Sequence, residues 1–174
     1  MTNPADNIAE YSVFETDWGW MGVACSPRGL VSLVLPCPTA ERALAALGSG
    51  TRKGRRALCF TGFEQKLRDY LAGKQVVFNE ALDWEAATPF RRQVWLATRE
   101  IPYGESRSYA WVAGRLGNPK ACRAVGQALG KNPLPIIVPC HRVLASGGAL
   151  GGFSDGLAIK CRLLKLENIA CPGV

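Results

Sequence analysis

Cys140 is followed directly by His141, the only histidine of the 174-residue chain, within the stretch "IIVPCHRVL" at 136–144. A thiolate is a strong nucleophile, but a free thiol is mostly protonated at neutral pH. It needs a base, a nearby positive charge or a helix N-terminus to activate it. An imidazole, with its ordinary pKa near neutrality, suits that task. Adjacency alone does not bring the two groups together. Consecutive residues point to opposite faces of a strand and do not face each other on a helix. A Cys–His pair at i, i+1 therefore needs a sharp turn or a bridging water before the ring can take the thiol proton. The base also needs a third group to fix its tautomer. The C-terminal half offers Asp83, Glu85, Glu100, Glu105, Asp155 and Glu167. Glu167, near the end of the last predicted helix, can fold back onto the Cys140 segment.

The competing reading is an inert thiol beside an exposed ring, which is the default for an isolated cysteine. It is the expectation for most of the other six, at 25, 37, 59, 122, 161 and 171. With Cys140 they make an odd set without CxxC or regular spacing, which argues against a disulfide framework. A structural zinc would need four scattered thiolates, so no metal site is expected.

The elements that must position these groups are legible in outline. Residues 11–35 read as short strands broken by turn signals at Asp17–Gly19 and Pro27–Gly29. An Ala/Leu-rich helix follows at about 39–47, then a Gly-rich basic loop at 48–56. Apolar residues at 60, 63, 67, 70 and 71 mark one face of a helix stopped by Gly73. "QVVF" (75–78) reads as a last strand. Residues 79–90 look like a join between an N-terminal α/β domain, 1–82, and a C-terminal domain, 83–174.

In the second domain, Thr88 and Pro89 supply a cap and a first-turn proline for a helix running to about Glu100. Ser108 caps a helix over Tyr109–Leu116, which Gly117 ends. Asn118–Pro119 starts another, "PKACRAVGQALG", ended by Gly130. Two short helices across a turn of about two residues read as helix-turn-helix, against the commoner plain αα-hairpin. Ala121, Ala124, Gly126 and Ala128 make the second helix slim, and Arg123 sits near its start. The run at 136–138 reads as a strand and 142–145 as one arm of a hairpin. Five glycines between 147 and 156 permit a close backbone approach to a ligand, and 157–168 is a final helix.

Composition narrows the partner. Hydrophobic residues are 48% and charged residues 20%, ordinary for a soluble globular protein. No apolar run approaches bilayer-spanning length, and the N-terminus lacks a basic region followed by an apolar core, so a cytoplasmic protein without a membrane partner is expected. The net charge is +7, and residues 83–174 carry twelve Lys/Arg against six Asp/Glu. An excess concentrated in the half that holds Cys140 fits a polyanionic partner, although a basic solvated surface is common.

The stretch "SYAWVAGRLGNPKACRAVGQALGKNPLPIIVPCHRVLASGGALGGFSDGLAIKCRLLKLE", Ser108 to Glu167, resembles the O6-alkylguanine-DNA alkyltransferases, also called methylated-DNA–protein-cysteine methyltransferases. "RAVG", "NP", "PCHR" and the closing Glu fall in register. The resemblance implies a small RNase H-like α/β domain followed by a mainly helical, winged helix-turn-helix-like domain. It implies a monomer without cofactor that transfers an alkyl group, once, from O6-alkylguanine in double-stranded DNA to a cysteine after base flipping. O4-methylthymine is a second candidate substrate.

Residue by residue, Cys140 matches the nucleophile and His141 the base that works through a water. Glu167 matches the carboxylate that orients the ring, and Asn132 a residue that holds the turn around the nucleophile. Arg123 matches the finger that fills the vacated stack in the minor groove, and Tyr109 the tyrosine that rotates the target phosphate and contacts the guanine. The carbonyls of Cys140 and Val143 match acceptors for the guanine amine, and Ser154 a donor near O6. Phe153 stands where some members carry Tyr, and Gly130–Lys131 follows the recognition helix where others place an Arg. Two rivals stay on the table: a cysteine hydrolase using Cys140, His141 and Glu167, and a damaged-base binder without transfer chemistry.

Overall fold

The computed structural model describes residues 9–48, 51–53, 60 and 62–171. The expectations for the first eight residues and for most of the basic loop 48–56 lie outside the described residues. The fold is mixed α/β. The chain divides into two compact units, Met1–Glu85 and Ala86–Val174.

In the first unit, strands β1 (Ala9–Thr16), β2 (Gly19–Ser26) and β3 (Gly29–Cys37) form an antiparallel meander. The predicted turns fall between them. Strand β4 (Thr51–Lys53) pairs parallel to β1, giving the order β3-β2-β1-β4 and placing a strand inside the expected loop. Helix α1 (Ala40–Leu47) begins where Thr39 Oγ1 accepts from the Arg42 N–H, and α2 (Phe63–Leu71) buries Phe63, Leu67, Tyr70 and Leu71. Residues 75–78 are not a strand. The pairing falls later, where Leu30 and Leu82 form a parallel bridge with Leu30 N–H donating to Ala81 O at 2.8 Å. Gly29 allows it: a Cβ there would lie 2.2 Å from Ala81 O.

The second unit follows its capping signals closely. Helix α3 (Pro89–Arg99) has Thr88 as its cap and proline in its first turn. Residues Arg107–Ser108 form β5, and helix α4 (Tyr109–Arg115) starts where Ser108 Oγ accepts from the Trp111 N–H. Helix α5 runs Cys122–Leu129, three residues shorter at its start than the motif suggests. Pro119 and Lys120 stay in a turn, so the connection is Leu116–Ala121 rather than about two residues. α5 buries Val125, Ala128 and Leu129 and leaves Arg123, Ala124 and Gln127 exposed, a helical stripe turned outward. Trp95 of α3 ties down the buried side by donating to Ala128 O at 3.0 Å.

The run 136–138 is not a strand. Ile136 has φ 74°, and Val138 N–H closes a turn onto Leu134 O at 2.8 Å. β-branching marked burial here rather than extension, since Ile136, Ile137 and Val138 are all buried. Val143–Leu144 form β6, paired parallel with β5 and not as a hairpin arm. Helix α6 (Leu157–Leu166) completes the unit. Among the described residues no helix is long and apolar enough to cross a membrane.

The cysteine expectation needs correction. Cys161 in α6 is bonded to Cys171, with Cα atoms 5.4 Å apart, and Cys25 is also disulfide-bonded. Asn168, at φ 59°, turns the chain back after α6, which brings residues ten apart together. Spacing without regularity did not exclude a local bridge.

Candidate functional site

Pro139 opens a single 3-10 turn, Cys140–Arg142, closed by Arg142 N–H on Pro139 O at 2.9 Å. Cys140 and His141 thus lie on one sharp turn. Cys140 is 8% exposed and His141 is fully buried. Asn132 braces the turn from outside: its Nδ2 donates to Val138 O at 2.9 Å and lies 3.2 Å from Cys140 Sγ, while its Oδ1 accepts from Leu134 N–H.

Glu167, the C-cap of α6, is 1% exposed and faces the turn from behind. His141 Nε2 lies 2.9 Å from Glu167 Oε1. Arg142 adds two bonds, Nε to Oε2 at 2.7 Å and a second guanidinium nitrogen to Oε1 at 2.9 Å. Gly104 N–H, in the turn after α3, donates to Oε2 at 3.3 Å. Arg142 also donates to Ile101 O at 2.7 Å. One carboxylate thus organises His141, Arg142 and the α3–β5 turn.

These contacts decide protonation. Burial pushes the Glu167 carboxyl up, but the hydrogen bonds from His141 and Arg142 outweigh it and hold the pKa at about 2. An ionised carboxylate only accepts, so Nε2 of His141 carries its proton and Nδ1 is the basic nitrogen. Burial lowers the His141 pKa against the pull of Glu167, so the ring is neutral at pH 7. Burial pushes the Cys140 thiol up to about 11, with the Asn132 bond opposing it. At rest the site holds a thiol beside a neutral imidazole.

His141 and Glu167 both bind protons less readily in the folded chain, so stability rises with pH across their titration. The His141 contribution fades as pH falls below its ordinary value of 6.5, and the Glu167 contribution between 4.5 and about 2. The Glu167 shift corresponds to about 3 kcal/mol. Urea midpoints measured from pH 7 to pH 3 are expected to fall continuously, and Glu167→Gln is expected to flatten the fall below pH 4.5. Parallel curves for the parent and the variant would refute this linkage.

A cavity of about 570 Å³ opens in front of Cys140. Tyr109, Arg123, Phe153 and Ser154 line it with Gly126 and Gly152. Tyr109 is half-buried, and its hydroxyl donates to Gly152 O at 3.4 Å. It packs between α5 and the glycine-rich loop, and the tight side is the loop, where Gly151 has no side chain. A Cβ on Gly126 would stand 3.6 Å from the ring, and one on Gly151, at φ +67°, 3.0 Å. Ser154 is exposed, with Oγ 3.1 Å from Asp155 Oδ2. Arg123 is exposed on α5 at the cavity edge. Val143 is fully buried, and its N–H caps the turn on Cys140 O.

Cys140, His141, Glu167 and Asn132 therefore meet behind one wall, while Tyr109, Arg123 and Ser154 share the cavity. Sequence reasoning missed Arg142, whose place beside His141 was its only signal, and Lys160. Lys160 is fully buried and donates to Val143 O at 2.7 Å and to Leu150 O at 2.5 Å. Nothing local in the sequence separates it from the other lysines of the chain. Among the described residues no cluster of three or more His, Cys, Asp or Glu side chains could hold a metal ion.

Residues 89–169 match the family described as "6-O-methylguanine DNA methyltransferase, DNA binding domain". The methylated-DNA–protein-cysteine methyltransferase of Mycolicibacterium paratuberculosis is 41% identical over 151 residues, covering 84% of this chain and 91% of that protein. The constitutive enzyme of that name from Bacillus subtilis is 49% identical over 108 residues, 62% of this chain; the match spans 65% of the relative, just under two thirds of its length. In three dimensions the chain is similar to Mycobacterium tuberculosis OGT, solved in complex with DNA, with a TM-score of 0.78 at 36% identity. That match covers 94% of this chain and 96% of the other. With a relative matched over nine tenths of its length, and the "PCHR" turn of the aligned region forming the wall of the cavity, the chain belongs to the methylated-DNA–protein-cysteine methyltransferase family.

Proposed function

We propose that this chain repairs alkylated DNA by direct reversal, transferring the alkyl group of O6-alkylguanine in duplex DNA to Cys140, one group per molecule. The observation that carries this reading is the thiol held on a 3-10 turn between Asn132 and a buried His141–Glu167 pair, facing a cavity wide enough for a base. O4-methylthymine is a secondary candidate substrate.

In this mechanism His141 Nδ1 takes the thiol proton through a water, and Glu167 stabilises the imidazolium that forms. The sulfur attacks the alkyl carbon, a C–S bond forms and the C–O6 bond breaks. Its electron pair stays on the guanine, which ends with the thiol proton. Asn132 holds the turn. The carbonyls of Cys140 and Val143 accept from the guanine amine, and Ser154 donates near O6. Tyr109 rotates the target phosphate and contacts the guanine. A thiolate is a poor leaving group from the thioether that forms, so the transfer is final and no cofactor is needed.

A base inside a duplex is out of reach of this cavity, so it must be flipped out at a cost of a few kcal/mol. The exposed stripe of α5 is small at Ala124 and basic at Arg123, which suits a close approach along the minor groove. We read α4–α5 as a winged helix-turn-helix unit and the first unit as an RNase H-like scaffold. Because one chain supplies every residue of the site, a monomer acting where cytoplasmic DNA is found fits the proposal.

Incubation with duplex DNA carrying labelled O6-methylguanine tests the function. One label per chain, recovered on the Cys140 peptide, is expected. Repeated product release would indicate a hydrolase, and retention without transfer a binding protein.

Arg123→Ala separates flipping from docking. Without the side chain that fills the vacated stack, transfer from duplex DNA is expected to slow tenfold or more, about 1.4 kcal/mol of lost compensation for unstacking. Transfer from free O6-benzylguanine, which needs no extrusion, should change little. Equal slowing on both substrates would make Arg123 an ordinary pocket residue.

A further inference from the structure

We propose that Cys161 and Cys171 form a reversible dithiol–disulfide modification site, and that closing the bridge clamps Glu167 against His141. The effect on transfer rests on the alkyl-transfer reading. Cys161 lies on the buried face of α6 and is 6% exposed, whereas Cys171 is half-buried. One sulfur of the bond is therefore within reach of a small thiol, and exchange requires that access. In the reducing compartment proposed above, such a bridge is transient and responds to oxidants rather than acting as a permanent staple.

Glu167 sits inside the ring that the bridge closes. Helix α6 ends in a reversal in which Asn168 N–H donates to Lys165 O at 3.0 Å and Ile169 N–H to Leu164 O at 2.9 Å. Its pivot, Asn168, stands at φ 59°, a left-handed conformation that costs a non-glycine residue free energy. Asn168 and Ala170 are exposed, so packing does little to hold this end, and such ends are where local opening begins. The same reversal carries the contacts that aim Glu167. The Tyr103 hydroxyl donates to Leu166 O at 3.2 Å, and Gly104 N–H to Glu167 Oε2 at 3.3 Å. A bond from Cys171 back to Cys161, with Cα atoms 5.4 Å apart, spans the reversal and stops it unwinding. With the bridge open, the chain frays from Cys171 towards Glu167.

The step is thiol–disulfide exchange with a low-molecular-weight disulfide. The Cys171 thiolate attacks that disulfide and releases one small thiol. The Cys161 thiolate then attacks the mixed disulfide and releases the second. The two protein sulfurs are oxidised, the small disulfide is reduced, and the two thiol protons end on the released thiols. Reduction runs the same steps in reverse.

The test equilibrates the full chain and Cys171→Ser with oxidised or reduced glutathione, removes the glutathione, and follows transfer from increasing concentrations of O6-benzylguanine. A peptide joining Cys161 to Cys171 is expected in the oxidised parent alone. That form should melt about 5–10 °C above the reduced one. Its limiting transfer rate should be about fivefold faster, a small part of what a positioned base contributes, at an unchanged half-saturating concentration. Cys171→Ser should match the reduced parent after either treatment. Its other cysteines meet the same glutathione, so the difference belongs to this bridge. In Glu167→Gln the gain in rate on oxidation should vanish while the gain in melting temperature remains. A higher melting temperature with an unchanged rate in the oxidised parent would show a simple staple and overturn the proposal. So would a bridge that reduced glutathione does not open. If Glu167→Gln does not fold, the parent and Cys171→Ser still decide. A parent that makes and breaks the bridge but takes no alkyl group in either state would instead sink the alkyl-transfer reading, and the clamp with it.

Discussion

Cys140→Ser is expected to take up no label from duplex DNA containing O6-methylguanine, a loss of at least about a thousandfold, while binding that DNA as tightly as the parent. A serine hydroxyl is a far weaker nucleophile than a thiol unless a strong adjacent base activates it. His141 is a neutral, buried imidazole matched to a thiol rather than an alcohol. The substitution is nearly isosteric, and Asn132 Nδ2, 3.2 Å from the sulfur, can donate to the new oxygen, so the turn should persist. The exposed stripe of α5, where the DNA is proposed to lie, is untouched. Label appearing on Cys122, a free thiol lining the same cavity, would show that the cavity reacts without this constellation. Loss of DNA binding together with transfer would mean that the variant had unfolded the turn.

Glu167→Ala should be the most destabilising single change in the second unit, by about 3–5 kcal/mol, because it strands a buried cation. Arg142 is 9% exposed and places two of its donors on this carboxylate. Its remaining bond to Ile101 O does not neutralise it. The same change releases His141, so transfer from free O6-benzylguanine is expected to slow about a hundredfold, the usual worth of a positioned base. Glu167→Gln keeps an acceptor for His141 but not the charge for Arg142, and should fall between. Urea unfolding at pH 7 reads the first effect and single-turnover labelling the second. A loss under about 1 kcal/mol would show that water replaces the carboxylate and that the pair contributes little.

What could be read from the sequence was what is decided within a few residues. Thr88 and Ser108 cap helices because each needs only the N–H three residues on, and Gly117 ends α4 at φ 73° without reference to anything distant. The apolar stripe of α2 was equally local. The errors share one cause. Strand and turn look alike when β-branched residues are buried for tertiary reasons, as at Ile136–Val138. Likewise Leu82, not the 75–78 run, pairs with β3 because Gly29 admits the backbone there.

The chemistry divides along the same line. The sequence by itself determined that Cys140 and His141 are neighbours and that positive charge gathers in their half of the chain. Only the tertiary structure decided that the pair sits on a 3-10 turn, that Glu167 meets His141 across 26 residues, and that Arg142 and Lys160 are buried on charge and carbonyl partners. The physical reason is desolvation. A buried charge persists only where its partners are already in place, and those partners come from segments brought together by packing, which no local pattern encodes.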